Sequence, residues 1–72
     1  MSDRPFDLLS ESIGKNVMVE LKDSVTVRGT LRAFDIHMNL VLDNAEKLIA
    51  GETKNKYGRL LLRGDNVLLI SP

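Results

Sequence analysis

The stretch VMVELKDSVTVRGTLRA, residues Val17 to Ala33, alternates apolar and polar side chains on both sides of a short polar segment. Because strand side chains point to opposite faces in turn, each half of this stretch predicts a strand with one buried face. The central KDS, residues Lys22 to Ser24, predicts the turn between the two strands. Gly29 interrupts the second strand, where a missing side chain indicates a bend or bulge. The stretch therefore predicts an antiparallel pair in a sheet that curls.

The segments before and after this pair predict a short helix and three more strands. Residues 3 to 14 predict an amphipathic N-terminal helix, with Pro5 in its first turn and Gly14 as its C-terminal cap. A third strand is expected from about Met38 through Leu42 and on to Leu48. Residues 49–58, which contain GETKNKYG, predict an exposed hairpin loop. The apolar runs RLLLR (residues 59–63) and NVLLIS (residues 66–71) supply the last two strands.

The composition limits the kind of protein that these 72 residues can form. With one Tyr, two Phe and no Trp, the chain predicts a single domain, residues 1–72, with a small core. The absence of Cys excludes a disulfide scaffold, and a single His makes no metal site, so no cofactor is expected. No apolar stretch has the length of a membrane span, which predicts a soluble, cytoplasmic protein. Because the net charge is zero, binding of a polyanion requires a local cluster of positive charge.

The last two apolar runs do not alternate with polar residues. Continuous apolar character indicates a strand that is covered on both faces, which one sheet and one helix cannot provide. Unpaired apolar edges are also templates for pairing with other chains, and this favours a closed ring of identical subunits. An inward-facing strand of a monomeric barrel is the alternative, and the pattern alone does not decide between the two.

Polar residues precede the third and the last strand at matching spacings. If DIHMNLVL, residues Asp35 to Leu42, is extended, Asp35, His37 and Asn39 share one face of the strand. Arg63 and Asp65 have the same spacing of two. Taken singly, these are an exposed histidine, a turn asparagine and a solvated hairpin. Taken together, they predict a site for an unpaired base: two planar groups stack on it, a carboxamide reads its edge and a carboxylate holds the carboxamide.

These residues carry a resemblance to a known family. The segment VMVELKDSVTVRGTLRAFDIHMNLVLDNAE, within residues 16–48, resembles the first motif of the Sm and Lsm family, and LLLRGDNVLLIS, within residues 59–71, resembles the second. The short chain is most similar to archaeal Sm-like proteins. The resemblance implies an all-β fold with a short N-terminal helix: a strongly bent five-stranded antiparallel sheet, or small open barrel, that assembles into a ring. The ring is usually a homoheptamer, closed by pairing of the fourth and fifth strands.

The resemblance also implies a role for each polar residue. His37 and Arg63 would stack on a uracil, Asn39 would read its edge, Asp65 would anchor Asn39, and Gly64 would give access to the backbone. A ring of Arg63 side chains would give the pore a positive field. Ser24 is a departure, because the family commonly has Gly at that turn position.

The predicted function is non-catalytic binding of single-stranded uridine-rich RNA at a pore-facing pocket, with one base per subunit, as a scaffold or chaperone in RNA metabolism. His37 with Asp35 or Asp65 could form a base and its orienting group. However, the chain has no Cys and no metal cluster, and its serines lie in other elements, so no enzyme is predicted. A structural ring that acts mainly through protein contacts is the alternative function.

Overall fold

A computed structural model describes residues 4–72 as one short helix and one five-stranded sheet. The sheet is antiparallel throughout, with strand order β4-β3-β2-β1-β5, so that β4 and β5 form its two edges. This architecture confirms the predicted fold class. The elements are α1 (Pro5–Glu11), β1 (Asn16–Leu21), β2 (Val25–Phe34), β3 (Leu40–Ile49), β4 (Glu52–Leu62) and β5 (Val67–Ser71), with single 3₁₀ turns at Lys22–Ser24 and Gly64–Asn66.

The core lies on the inner face of the bent sheet, where alternate residues of β1 to β4 meet Leu9 of α1. The buried strand residues are Val17, Val19, Val27, Leu31, Leu40, Leu42, Ala45 and Leu62. Gly29 belongs to this inner face, and a Cβ at that position would lie 3.0 Å from the Cα of Ala45. The pairing of β2 with β3 also shifts register next to Gly29. The glycine therefore lets two strands approach closely where the sheet bends, as the sequence predicted.

The outer face of β2, β3 and β4 carries a cross-strand set of ion pairs, which we call the charge ladder. The charge ladder consists of Arg28, Arg32, Asp43, Glu46, Lys56 and Arg59. Nε of Arg59 lies 2.7 Å from Oδ1 of Asp43, and Nη2 of Arg28 lies 2.9 Å from Oε2 of Glu46. The Arg59 hydrogen bond is the main cause that holds the pKa of Asp43 below its ordinary value. Opposite charges thus face each other across neighbouring strands.

The two edge strands leave large apolar side chains in solvent. Leu61 of β4 and Leu68 of β5 are each 63% exposed, and Leu69 of β5 is 49% exposed. An apolar cavity of about 290 Å³ runs beside β5, between that strand and α1. In the described residues, no helix is long and apolar enough to span a membrane.

The predicted helix, residues 3 to 14, is longer than the observed one. Residue 3 lies outside the described residues, and α1 ends at Glu11. The hydroxyl of Ser12 donates to the carbonyl of Leu8, and the backbone N–H of Ser12 donates to the carbonyl of Leu9. These contacts close the last turn before Gly14, whose φ of +85° belongs to the connection that follows.

The predicted loop over residues 49–58 is wrong. Most of this segment belongs to β4, which pairs with β3 from Ile49–Glu52 onward. Only Ala50 and Gly51 form the turn, with φ of +54° and +81°. Two left-handed residues are typical of the tight hairpin turns that match the twist of their strands. The polar side chains of GETKNKYG therefore extend the hairpin rather than interrupt it.

Candidate functional site

Residues Asp35 to Asn39 form a compact turn between β2 and β3, which we call the site loop. Oδ1 of Asp35 accepts hydrogen bonds from the backbone N–H groups of His37 (2.9 Å) and Asn39 (3.1 Å). Two further backbone hydrogen bonds, Met38 to Asp35 and Asp35 to Asn39, close the turn. Met38 has a φ of +65°. The prediction that this segment is extended is therefore wrong, because an aspartate side chain organises it as a turn.

The turn over Arg63 to Asn66, which we call the second loop, packs directly against the site loop. The backbone N–H of Gly64 donates to Oδ1 of Asn39 at 2.8 Å. A Cβ at Gly64 would overlap the carbonyl oxygen of His37. Gly64 is thus needed because the two loops touch, whereas the family resemblance implied a role in giving access to the backbone. The structure brings Asn39, Gly64 and the backbone of His37 together, as expected from the two motifs.

The amide of Asn39 is held at both ends. Its Nδ2 donates to Oδ2 of Asp35 at 2.9 Å, and its Oδ1 accepts from Gly64. A carboxylate can only accept and a backbone N–H can only donate, so a flipped amide would lose both partners. The prediction that Asp65 anchors Asn39 is wrong, because Asp35 occupies that position. The sequence signal for this role is the residue type, because the side chain of an aspartate at the start of a turn often accepts hydrogen bonds from backbone N–H groups a few residues later.

Asp65 lies instead beside Arg63. Nη2 of Arg63 is 3.7 Å from Oδ2 of Asp65, and the two side chains are 77% and 64% exposed. By formal charge, the two carboxylates of Asp35 and Asp65 outnumber the one guanidinium of Arg63. The positive field expected from a ring of Arg63 side chains is therefore offset locally.

The pKa of Asp35 lies below its ordinary value of 3.8, chiefly because its carboxylate accepts the side-chain hydrogen bond from Asn39. The backbone hydrogen bonds from Asn39 and His37 act in the same direction. The ionised form of Asp35 is thus the form that the loop selects.

The arrangement leaves chemical groups available for a ligand. An amide offers two N–H donors and two acceptor lone pairs, and the contacts of Asn39 described above use one of each. One donor and one acceptor of the amide remain unused, and Asp35 and Gly64 fix which end of the amide carries each. The site loop also carries the exposed imidazole of His37, and the second loop carries the exposed guanidinium of Arg63. Planar groups and a polar edge are what an unpaired base requires.

Comparison with known proteins identifies the family of this chain. Residues 7–72 match the model of the LSM domain. The chain belongs to the LSM domain family. Both motifs, and the site loop and second loop within them, lie inside the matched region. The Sm and Lsm resemblance of the sequence is therefore confirmed.

Two solved structures and one curated relative show how far the likeness to other proteins extends. A Pyrococcus abyssi Sm protein, solved in complex with a uridine heptamer, is 47% identical, with 97% of this chain and 99% of that one covered and a TM-score of 0.95. A heptameric archaeal Sm protein is 52% identical, with 92% and 96% covered and a TM-score of 0.85. An Sm-like snRNP protein of Methanosarcina barkeri is 50% identical over the full length of both chains.

Proposed function

We propose that this LSM domain protein forms a ring that binds single-stranded uridine-rich RNA, with one base in each subunit. The observation that carries the proposal is the fixed amide of Asn39, in a pair of touching loops that also carry the exposed planar side chains of His37 and Arg63. His37 and Arg63 would stack on the faces of the base, and Asn39 would read its edge. The similar Pyrococcus abyssi protein, which was solved with a uridine heptamer, supports this ligand.

The orientation of Asn39 accounts for a preference for uracil. Uracil presents an N–H donor beside carbonyl acceptors, whereas cytosine presents a bare ring nitrogen beside an amino donor. With Nδ2 bound to Asp35 and Oδ1 bound to Gly64, the amide keeps one orientation. Its remaining acceptor would take the uracil N–H, and its remaining donor would meet a uracil carbonyl. Against cytosine the same amide faces like with like, at a cost of about 1–3 kcal/mol for each unpaired group.

The ring itself is supported by the two edges of the sheet. Both edge strands have unpaired backbone groups on one side, and they carry the exposed Leu61, Leu68 and Leu69. Pairing of β4 of one copy with β5 of the next would satisfy the backbone and cover these leucines. The heptameric archaeal relative supports a ring of seven copies.

We propose no catalytic activity and a cytoplasmic location, as the sequence predicted. The work of such a ring would be to hold RNA as a scaffold or chaperone in RNA metabolism. A ring that acts only through protein contacts would give no role to the oriented amide of Asn39, so RNA binding is the favoured function.

Native mass spectrometry tests this proposal directly. Protein purified with nuclease treatment is measured alone and after addition of oligouridine. We expect a single ring mass that gains one oligouridine strand. A nuclease-treated ring that fails to bind oligouridine would support the structural alternative instead.

Ring closure has a separate test at β5. Leu69→Asp should give monomers or insoluble protein, because an unpaired carboxylate would lie in or beside the subunit interface. Sedimentation velocity measures the outcome. A soluble Leu69→Asp ring of unchanged size would count against pairing through β5.

A further inference from the structure

The ion pair between Arg63 and Asp65 has no part in orienting Asn39. The amide is held by Asp35 and Gly64, while Asp65 contacts the guanidinium of its near neighbour at 3.7 Å. An exposed ion pair of this kind adds little to stability. A negative charge beside a site for a polyanion therefore needs another reason.

We propose that Asp65 is a specificity-determining residue, which keeps Arg63 from binding phosphate so that the site selects bases. This inference rests on the proposed function and deepens it. A free guanidinium binds phosphate strongly, with two parallel hydrogen bonds from its edge. Phosphate contacts are the same for every sequence, so they raise the affinity for all RNA and carry no discrimination.

The geometry of a guanidinium explains how Asp65 acts without blocking the base. Hydrogen bonds leave a guanidinium through its edge, whereas stacking uses its flat face. Nη2 of Arg63 and Oδ2 of Asp65 lie 3.7 Å apart, at ion-pair distance, so the carboxylate competes with a phosphate for the guanidinium edge. Stacking on the flat face does not depend on those edge hydrogen bonds. Asp65 also adds a negative charge that repels an approaching phosphate. Both effects weaken the binding of phosphate and add no attraction for a base.

Asp35, the other carboxylate at the site, is not available for this role. Its two oxygens accept three hydrogen bonds from the site loop, and those contacts hold it in place. The side chain of Asp65, by contrast, is 64% exposed and meets Arg63 alone among the contacts described above. A change at Asp65 therefore alters the charge beside Arg63 and leaves the amide of Asn39 oriented.

The test is Asp65→Asn, measured with oligouridine, oligocytidine and oligoadenosine over a range of salt concentrations. We expect affinity for all three to rise, by about two- to fivefold per bound nucleotide at low salt, and most for the two non-uridine strands. The dependence of log K on log salt should steepen, by up to about 0.7 for each phosphate newly contacted. Asp23→Asn is the matched control. It makes the same change of charge in the exposed turn Lys22–Ser24 and should leave all three affinities and slopes unchanged.

A double-mutant cycle separates action through Arg63 from action at a distance. In the Arg63→Ala background, Asp65→Asn should raise the affinity and steepen the salt dependence less than it does with Arg63 present, because only the direct repulsion of phosphate by Asp65 is then removed. An equal rise with and without Arg63 would overturn the assignment, and so would a lowered or unchanged affinity in the single variant. Wild-type rings that bind none of the three strands would contradict the proposed function itself. Selective wild-type binding with an unchanged salt slope in Asp65→Asn would contradict the role of Asp65 alone.

Discussion

The site loop and the second loop each contain one aspartate, and the two carboxylates do different work. Asp35 accepts three hydrogen bonds from its own loop, and these bonds set the backbone and the amide of Asn39. Asp65 makes an exposed ion pair with Arg63 at 3.7 Å and organises no backbone that we describe. The difference shows that an aspartate can either fix the conformation of its loop through hydrogen bonds or act mainly through its charge. The number of hydrogen bonds that each carboxylate accepts separates the two roles.

Gly64→Ala should have the largest effect, because it acts on both loops at once. The added Cβ would overlap the carbonyl oxygen of His37, so the loops must separate. We expect a loss of about 1–3 kcal/mol in the free energy of unfolding, together with loss of oligouridine binding. Chemical denaturation at fixed protein concentration and a binding titration measure the two quantities.

Gly58→Ala is the control for that variant, because a Cβ at Gly58 meets nothing within 4 Å in the subunit. It should fold and bind as the wild type does. Normal stability and binding in Gly64→Ala would mean that the two loops do not depend on each other.

His37→Ala and Arg63→Ala each remove one planar side chain, the first from the site loop and the second from the second loop, so their effects on binding compare the two loops. If both side chains stack on one base, each variant should lose about 1–3 kcal/mol of binding free energy per bound base, with the ring intact. Titration with oligouridine and native mass spectrometry provide the measurements. Unchanged affinity in both variants would remove the stacking arrangement from this account.

Asp35→Asn should narrow the preference for uridine over cytidine. The new amide can still accept from the backbone, but its NH₂ group would face Nδ2 of Asn39, and one donor would lose its partner. If the amide of Asn39 flips to relieve this conflict, it loses the hydrogen bond from Gly64 instead. Competition between oligouridine and oligocytidine measures the change. If Asp35→Asn keeps the full preference of the wild type, Asn39 is oriented by another group.

Protonation of Asp35 at low pH should have the smallest effect on the site loop, and this effect should occur only far below neutral pH. Because the folded-state pKa of Asp35 is lower than 3.8, its hydrogen bonds stabilise the site loop above that pH and are lost as the pH falls through the folded-state pKa. NMR shifts of the His37 and Asn39 amides should therefore titrate with a midpoint below 3.8. The same amides in Asp35→Asn should show no such step. A midpoint above 3.8 would contradict the hydrogen-bonding role given to Asp35.

Much of the fold could be predicted from the alternation of apolar and polar residues, and the segments that depart from this alternation have local causes. Val17 to Leu31 follow the predicted strands and inner face, because a half-buried sheet imposes a period of two on its sequence. The prediction is wrong at Ala33, which is exposed, because the register of β2 with β3 shifts between Leu31 and Ala33. The site loop departs from that period because the side chain of Asp35 caps the backbone and Met38 takes a left-handed conformation. No alternation pattern registers a hydrogen bond from a side chain to the backbone.

Of the candidate site, the set of residues was easier to predict than their partners. The two motifs placed Asn39 and Gly64 together, which the 2.8 Å hydrogen bond confirms. The family resemblance implied Asp65 as the anchor of Asn39, but positions in two sequence motifs do not measure the distance between side chains. The RNA-binding roles of His37, Asn39, Arg63, Gly64 and Asp65 stay predictions.

Because the charge ladder joins β2, β3 and β4 only, the two ends of the sheet should differ in their stability at high temperature. Its ion pairs join β2, β3 and β4, and the cost of removing charges from water falls as the temperature rises. β5, whose sequence is VLLIS, has no charged side chain and is held to β1 by a short ladder from Met18–Ser71 to Leu21–Val67. Amide hydrogen exchange in a warmed subunit should therefore rise in β5 before it rises in β3. The outer edge of β5 is the one that a neighbouring subunit is proposed to cover, so assembly would protect a strand that its own subunit holds by a short ladder without ion pairs.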